Sequence, residues 1–279
     1  EDRRVSVLVH SDTLRNDKGS IVGTMLFVTD ITEQKKSLAL AGEFQKSLLP
    51  HDAPAIPHIH AAWRFAPCDR VGGDIFQIHR IGDDDINAYV LDVCGHGVSA
   101  ALVAVTVSQF LQGLQNRMRL TGKLFTPAAV LDRLNHAFPL DRFDSYFTIA
   151  YVCLNVKTGR LTYSNAGHVP PLVLRKHGRL DTLAHHGTVI GSGLETAFGQ
   201  ETTTLAPGDR LILYTDGLTD NFGPDGEREG RVRLENALRG LIAKPADELV
   251  QAIIEQSRML RDGLAPTDDM SLMAIEYRG

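Results

Sequence analysis

The sequence predicts an α+β domain of stacked layers with largely antiparallel sheets. Three observations point there. Strand-like runs come in pairs joined by hairpin signals, helical patterns come in blocks, and strands do not alternate singly with helices as they would in a parallel sheet. The composition agrees: 43% hydrophobic and 23% charged residues over 279 positions supply a sizeable core without the charge excess of a disordered chain. At ~150 residues per domain that length suits one large domain or two modest ones.

In chain order, Val5 to Val9 and Ile21 to Val28 are short β-branched runs separated by the turn signal Asn16-Asp17-Lys18-Gly19, which predicts a hairpin. Two strands cannot stand alone, so this pair is expected to be the tail of a domain whose front half is absent. From Glu33 to Leu49 there is no proline and one glycine. Thr29, Asp30 and Thr32 are candidate N-caps, and Glu33 suits the positive helix end. Leu38, Ala41, Phe44, Leu48 and Leu49 form an apolar stripe of helical or heptad spacing. Two readings follow: a linker helix lying on its own domain, or a parallel two-helix coil that makes a homodimer. Pro50, Pro54 and Pro57 close the helix. Strands are then expected at His60–Ala66, Asp74–His79, Ile86–Val93, Tyr146–Asn155, Arg160–Ser164, Pro171–Leu174, Arg210–Tyr214 and Ser271–Tyr277. Gly82-Asp83-Asp84-Asp85, Lys157-Thr158-Gly159 and His177-Gly178 supply hairpin turns. Helical patterns cover Val98–Arg119, Pro127–Phe138, Arg233–Ala243 and Ala246–Arg261.

Charge and cysteine usage narrow the function classes. Lys plus Arg is 29 against 34 Asp plus Glu, a formal charge of −5, which argues against general nucleic-acid binding. No apolar run approaches the ~18 residues of a membrane span; the most apolar stretch, Ala100 to Val107, is too short and contains Thr106. Cys68, Cys94 and Cys153 are too few for a disulfide framework and fit a reducing cytoplasm. Gly95-His96-Gly97-Val98-Ser99-Ala100 matches a dinucleotide fingerprint, but ~20 residues on, where an acid should end the next strand, lies the helical Gln115-Asn116-Arg117-Met118-Arg119. That reading is rejected.

Four acidic spots share one local grammar, an Asp at the end of an apolar strand beside Gly or another Asp: Val71-Gly72-Gly73-Asp74, Leu91-Asp92-Val93-Cys94-Gly95, Tyr214-Thr215-Asp216-Gly217 and Thr267-Asp268-Asp269-Met270. Singly, each reads as a strand-end turn. Together they are carboxylates embedded in apolar sequence, costly to bury without partners, and only Arg70 offers a neighbouring cation. Hard divalent cations, Mg²⁺ or Mn²⁺, suit such an all-oxygen donor set, and the glycines allow close approach. Asp83-Asp84-Asp85 has similar composition but falls in a hairpin tip and reads as a solvated turn.

Val71-Gly72-Gly73-Asp74, Asp92-Val93-x-Gly95-x-Gly97 with Ala100-Ala101-Leu102, Asn165-Ala166-Gly167-His168-x-Pro170-Pro171, Tyr214-Thr215-Asp216-Gly217 and Asp268-Asp269-Met270-Ser271 occur in that order over about residues 58 to 279. This resembles the metal-dependent protein phosphatases of the phosphatase 2C class, in the bacterial sporulation stage II protein E-like branch that includes the stress-response regulator phosphatases. The resemblance implies an α-β-β-α sandwich with a binuclear Mn²⁺/Mg²⁺ centre. Asp74 would bind one ion, Asp92 would bridge both, the Val93 carbonyl would add a ligand, Asp216 and Asp268 would complete the site, and Asp269 would support it. Water activated by the two ions would attack a phosphoserine or phosphothreonine in line. No covalent phosphoenzyme is needed, and no cysteine has Cys-x₅-Arg spacing. The implied substrate is a phosphorylated anti-sigma-factor antagonist in a partner-switching pathway.

The chain departs from the branch in two places. Phe76-Gln77 stands where an aromatic and an acid are usual, and a Gly-x-Pro-Leu-Gly-like stretch survives only as Gly187-Thr188-Val189-Ile190-Gly191. His96 as a general acid and Arg70 as a phosphate contact are both disfavoured against plainer roles, and His58-x-His60 and His185-His186 lack the companions of a zinc site. The front strand pair, ending in Asp30-Ile31-Thr32-Glu33, resembles the last part of a PAS sensory domain. The implied organisation is a sensor fragment over 1–32, a linker helix over 33–50 and a phosphatase domain over 51–279. A degenerate phosphatase serving as a scaffold would have lost metal carboxylates, yet all four positions are acidic. A histidine kinase would need a His in the Glu33–Leu49 helix, which has none.

Overall fold

The computed structural model describes residues 5–50, 55–194, 196–223, 226–261, 264 and 266–279; Pro54 of the expected helix-closing trio lies outside them. In chain order the elements are β1 (Val7–Arg15), β2 (Ile21–Asp30), α1 (Thr32–Leu48), β3 (Ile59–Ala66), β4 (Ile75–Arg80), β5 (Asp85–Val93), α2 (Val98–Thr121), α3 (Pro127–Ala137), α4 (Leu140–Phe143), β6 (Phe147–Asn155), β7 (Arg160–Ala166), β8 (Leu172–Leu174), β9 (Leu180–Thr182), β10 (Glu201–Thr204), β11 (Arg210–Tyr214), α5 (Asp216–Phe222), α6 (Glu227–Gly240), α7 (Ala246–Leu260) and β12 (Met270–Tyr277).

Two five-stranded sheets, ordered β10-β7-β6-β5-β4 and β3-β12-β11-β8-β9, are antiparallel at every strand pair. Their inner faces pack together, and helices cover the outside: α2 on β4 and β5, α3 on β6 and β7, α7 on β3 and β12. The α+β expectation and the sandwich that the resemblance implied both hold. Alternation along a strand explains why these runs are apolar throughout. On β11, Leu211 and Leu213 join the core between the sheets, while Ile212 and Tyr214 join a second core under α5 to α7. Both faces of the strand are covered.

The hairpin β1–β2 stands apart. Val7, Leu8, Val9, Phe27 and Val28 are all exposed, and the hairpin is tied to the start of α1 through Ile31 N–H to the Ser6 carbonyl (2.9 Å) and Ser6 N–H to Thr32 Oγ1 (2.9 Å). The helix start differs in detail from expectation. Ile31 is the cap residue, without a side-chain cap, and Asp30 Oδ1 accepts from the Thr32 N–H instead (2.9 Å).

Four elements were not foreseen. β10, Glu-Thr-Thr-Thr, is a polar, largely exposed edge strand that has no apolar alternation to reveal it. β9 and α4 are three and four residues long. At α5, Asp216-Gly217 opens a helix where a turn reads equally well locally. Helix α6 begins earlier than Arg233. Helix α2 corrects the expectation that no apolar stretch reaches membrane-span length: it is long and apolar enough by composition to cross a membrane, because the helix carries the apolar pattern on past Val107, and here its Ala100, Ala104, Val107, Leu111 and Met118 are buried in the domain.

Candidate metal centre

The carboxylates meet at one end of the sandwich, where strands of both sheets begin or end. Asp74 immediately precedes β4, and Asp92 lies near the end of β5 in the same sheet. Asp216 follows β11, and Asp268 and Asp269 precede β12, in the other sheet. Glycines make the approach possible. A Cβ on Gly73 would sit 2.6 Å from the Val93 carbonyl oxygen and 3.3 Å from Asp92 Oδ1, and one on Gly72 would overlap the Asp269 carboxylate. A Cβ on Gly217 would overlap the Asp269 carbonyl.

Local hydrogen bonds hold the cluster in place. Asp74 is almost fully buried, and its Oδ2 accepts from Thr215 Oγ1 and Ser271 Oγ, both at 2.7 Å. Thr215 thereby joins the Asp216 segment to Asp74, and it accepts from the Ser271 N–H as well (3.0 Å). Asp269 Oδ1 accepts from the Cys68 N–H (2.9 Å), and Asp268 Oδ1 from the Asp269 N–H (2.8 Å). Cys68 Sγ and one oxygen each of Asp268 and Asp269 lie within 4.8 Å of one another. Burial first, then Asp269 and Asp268, pushes the Cys68 thiol up to about 12.

The electrostatics report the crowding. Burial raises the Asp92 carboxyl to about 8, with Asp216, Asp268 and Asp269 adding to the rise and a hydrogen bond from Asp74 opposing it. Asp74 is raised well above the usual range by burial, then by Asp92 and Asp269. Burial also raises Asp216 and Asp268. Among the described residues, no Lys or Arg ion-pairs with any of the five carboxylates. Mutual repulsion of this kind is what a divalent cation relieves, and an all-oxygen donor set of carboxylates and the Val93 carbonyl suits Mg²⁺ or Mn²⁺. The residues present fit the ions.

The other candidates are placed as follows. His96 is exposed and close enough to Asp268 to oppose its rise. Arg70 turns away from the phosphate role, its Nη1 donating to the Lys35 carbonyl of α1 (2.7 Å). His58 and His60 have separate partners, the Gly279 carbonyl and Asp247, each at 2.5 Å. His185 lies 3.8 Å from Glu201. Asp84 of the acidic hairpin tip pairs with Lys157 (2.8 Å).

Sequence reasoning missed Gln45. It is a polar residue on a linker helix and was given no role, yet it is buried. Its amide receives from the Gly72 N–H (3.0 Å) and donates to the Gly72 carbonyl (2.7 Å), clamping the loop before Asp74. Gln77 Nε2 donates to the Leu48 carbonyl beside it. One face of α1 therefore lies on its own domain, while Leu40 and Phe44 stay exposed on another. Thr215 and Ser271 lie inside quoted motifs but carried no role there, because nothing local says that they reach Asp74.

A two-sheet sandwich flanked by helices, with a carboxylate cluster at one end, is the architecture of a phosphatase 2C-type domain. The fold is that of the SiaA-PP2C domain of Pseudomonas aeruginosa, with TM-score 0.74 and 23% identity over 88% of this chain and 99% of that one. Residues 82–278 match the model of the Stage II sporulation protein E (SpoIIE) family, and the chain belongs to that family. Protein IcfG of Synechocystis is 26% identical over 85% of this chain and 40% of its own length. Phosphoserine phosphatase RsbU of Bacillus subtilis is 27% identical over 88% of this chain and 71% of its own. More distant solved structures of the same fold include RsbX in complex with magnesium (TM-score 0.60, 18% identity, covering 81% and 98%) and the catalytic domain of PstP with two manganese ions (0.55, 15%, covering 79% and 99%).

Proposed function

We propose that this chain hydrolyses phosphoserine or phosphothreonine in a partner protein, an anti-sigma-factor antagonist of a bacterial partner-switching pathway, with two divalent cations, Mn²⁺ or Mg²⁺. The observation that carries the reading is the meeting of five carboxylates from four distant segments, with no Lys or Arg ion-paired to them among the described residues. Asp74, Asp92, Asp216 and Asp268, with the Val93 carbonyl, would hold the ions, and Asp269 would support them. When bound, the ions supply a water of lowered pKa and charge to offset the phosphoryl oxygens. The protein's own part is preorganisation. Thr215 and Ser271 fix the Asp74 carboxylate, the glycines keep the floor of the site open, and Asp269 braces the Cys68 loop. The phosphoserine phosphatase name of the RsbU relative supports the substrate class.

The hairpin and α1 fit the end of a PAS-like sensor (1–32) and a linker helix (33–50) that reports to the phosphatase domain (51–279), and the exposed Leu40 and Phe44 suit a homodimer in the cytoplasm. The test is phosphate release from a phosphoserine peptide with Mn²⁺. Activity should vanish in chelator and in Asp92→Asn or Asp216→Asn. Full activity in any of these conditions refutes the assignment.

A further inference from the structure

The Asn165-Ala166-Gly167-His168 stretch is a motif of this sequence that contributes no carboxylate to the centre. It lies where the chain leaves β7 in one sheet and crosses to β8 in the other. The His168 ring is buried and bonded at both nitrogens. Nε2 lies 2.9 Å from the Tyr214 carbonyl oxygen, which can only accept, so Nε2 carries the proton. Nδ1 is then the acceptor, and it receives the Thr148 hydroxyl at 2.7 Å. Burial drives the ring down to about 4, so it is neutral in this arrangement.

The two partners stand beside metal-centre residues in different sheets. Thr148 is the cross-strand partner of Asp92. Tyr214 closes β11 two residues before Asp216, and the intervening Thr215 grips Asp74. The backbone around the ring is equally fixed. Asn165 Oδ1 accepts the His168 N–H (2.7 Å) and Asn165 Nδ2 donates to the His168 carbonyl (2.9 Å). Gly167 has φ +66°, and a Cβ there would come within 2.5 Å of Val189 Cγ1, so a side chain is excluded on both counts. Clamp, glycine and ring make one unit aimed across the gap between the sheets.

We propose that His168 is a positioning residue, a planar two-ended spacer that fixes the separation of Asp92 and Asp216 across the two sheets and so sets the affinity of the centre for divalent cations. The proposal rests on the reading of those two carboxylates as metal ligands. Mn²⁺ binding to the full chain, followed by calorimetry, tests it. Thr148→Val, which removes only the hydroxyl, and His168→Gln, which loses the planar spacer, should each weaken Mn²⁺ binding about tenfold, as changes behind metal ligands do. Thr148→Ser should restore it to within about twofold. Val173→Ala, a core truncation on β8, should lower the melting temperature without moving Mn²⁺ affinity, which separates positioning from packing. Wild-type Mn²⁺ affinity in both Thr148→Val and His168→Gln overturns the proposal, whatever their melting temperatures; if His168→Gln does not fold, Thr148→Val decides alone. Asp92→Asn, titrated alongside, keeps the two readings apart. Mn²⁺ binding retained there means that the ligand assignment itself has failed, whereas binding lost there but retained in the Thr148 and His168 variants removes only the spacer.

Discussion

Replacing Asp92 by asparagine should make the metal-free protein more stable while it abolishes activity. The Asp92 carboxyl is raised from 3.8 to about 8, by burial first and then by Asp216, Asp268 and Asp269. At ~1.4 kcal/mol per pKa unit, that rise corresponds to roughly 6 kcal/mol of penalty for the fully ionised group. Asparagine still costs something to bury, and Asp74, Asp216 and Asp268 still repel one another. A net gain of ~1–3 kcal/mol is expected, or about 2–12 °C in melting temperature for a domain of this size. The sign follows from linkage. Because the folded pKa lies above the unfolded one, the native metal-free protein binds more protons between pH ~4 and ~8 and loses stability as pH rises through that window. The assay is a thermal melt in chelator at pH 5 and pH 8. Asp92→Asn should melt above wild type at pH 8, by a margin that shrinks at pH 5, and saturating Mn²⁺ should reverse the order. If Asp92→Asn melts below wild type in chelator at pH 8, the carboxylates are not a strained, cation-seeking cluster.

Gly73→Ala would drive a methyl group to 2.6 Å from the Val93 carbonyl, so Mn²⁺-dependent phosphate release should fall at least ~100-fold while the far-ultraviolet dichroism is kept. Gln45→Ala leaves the buried Gly72 N–H and carbonyl unpaired, which should cost about 2–4 kcal/mol in a urea melt. Thr215→Val removes one of two hydroxyl donors to Asp74, and the half-saturating Mn²⁺ concentration in a phosphatase assay should rise about tenfold. The stability deficit of His168→Gln should be full above pH ~6.5 and narrow toward pH 4. The folded pKa of His168, about 4, lies below the unfolded value, so wild type itself loses the benefit of the neutral ring as pH falls; urea melts at pH 5 and 7 measure this.

What the sequence could reveal follows the range of the interaction. Strands such as β5 and β11 were legible because apolar runs end in an Asp with a Gly within three residues, a pattern contained within about ten residues. The exposed Thr-rich β10 carries no such pattern, and it exists because β7 offers backbone groups to pair with. Asp216-Gly217 looks like a turn in isolation, and only the packing of Leu218 and Phe222 into the second core makes α5 of it. The identity of the carboxylates could be read directly. Their brace could not, because Thr215 lies 141 residues from Asp74 and Cys68 lies 201 from Asp269. Gln45 hid for a different reason: it is the one amide on the apolar stripe of its helix, four residues from Ala41 and Leu49, where a lone polar residue reads as a break in the stripe, and it is buried here because Gly72 presents an N–H and a carbonyl at one spot.

Crystals grown with Mn²⁺ and measured at the manganese absorption edge bear most directly on the carboxylate cluster. Two anomalous peaks should appear among Asp74, Asp92, Asp216 and Asp268, with Asp92 reaching both and Asp269 beside them. Peaks elsewhere, or none at saturating Mn²⁺, would contradict the assignment of these side chains to a binuclear centre.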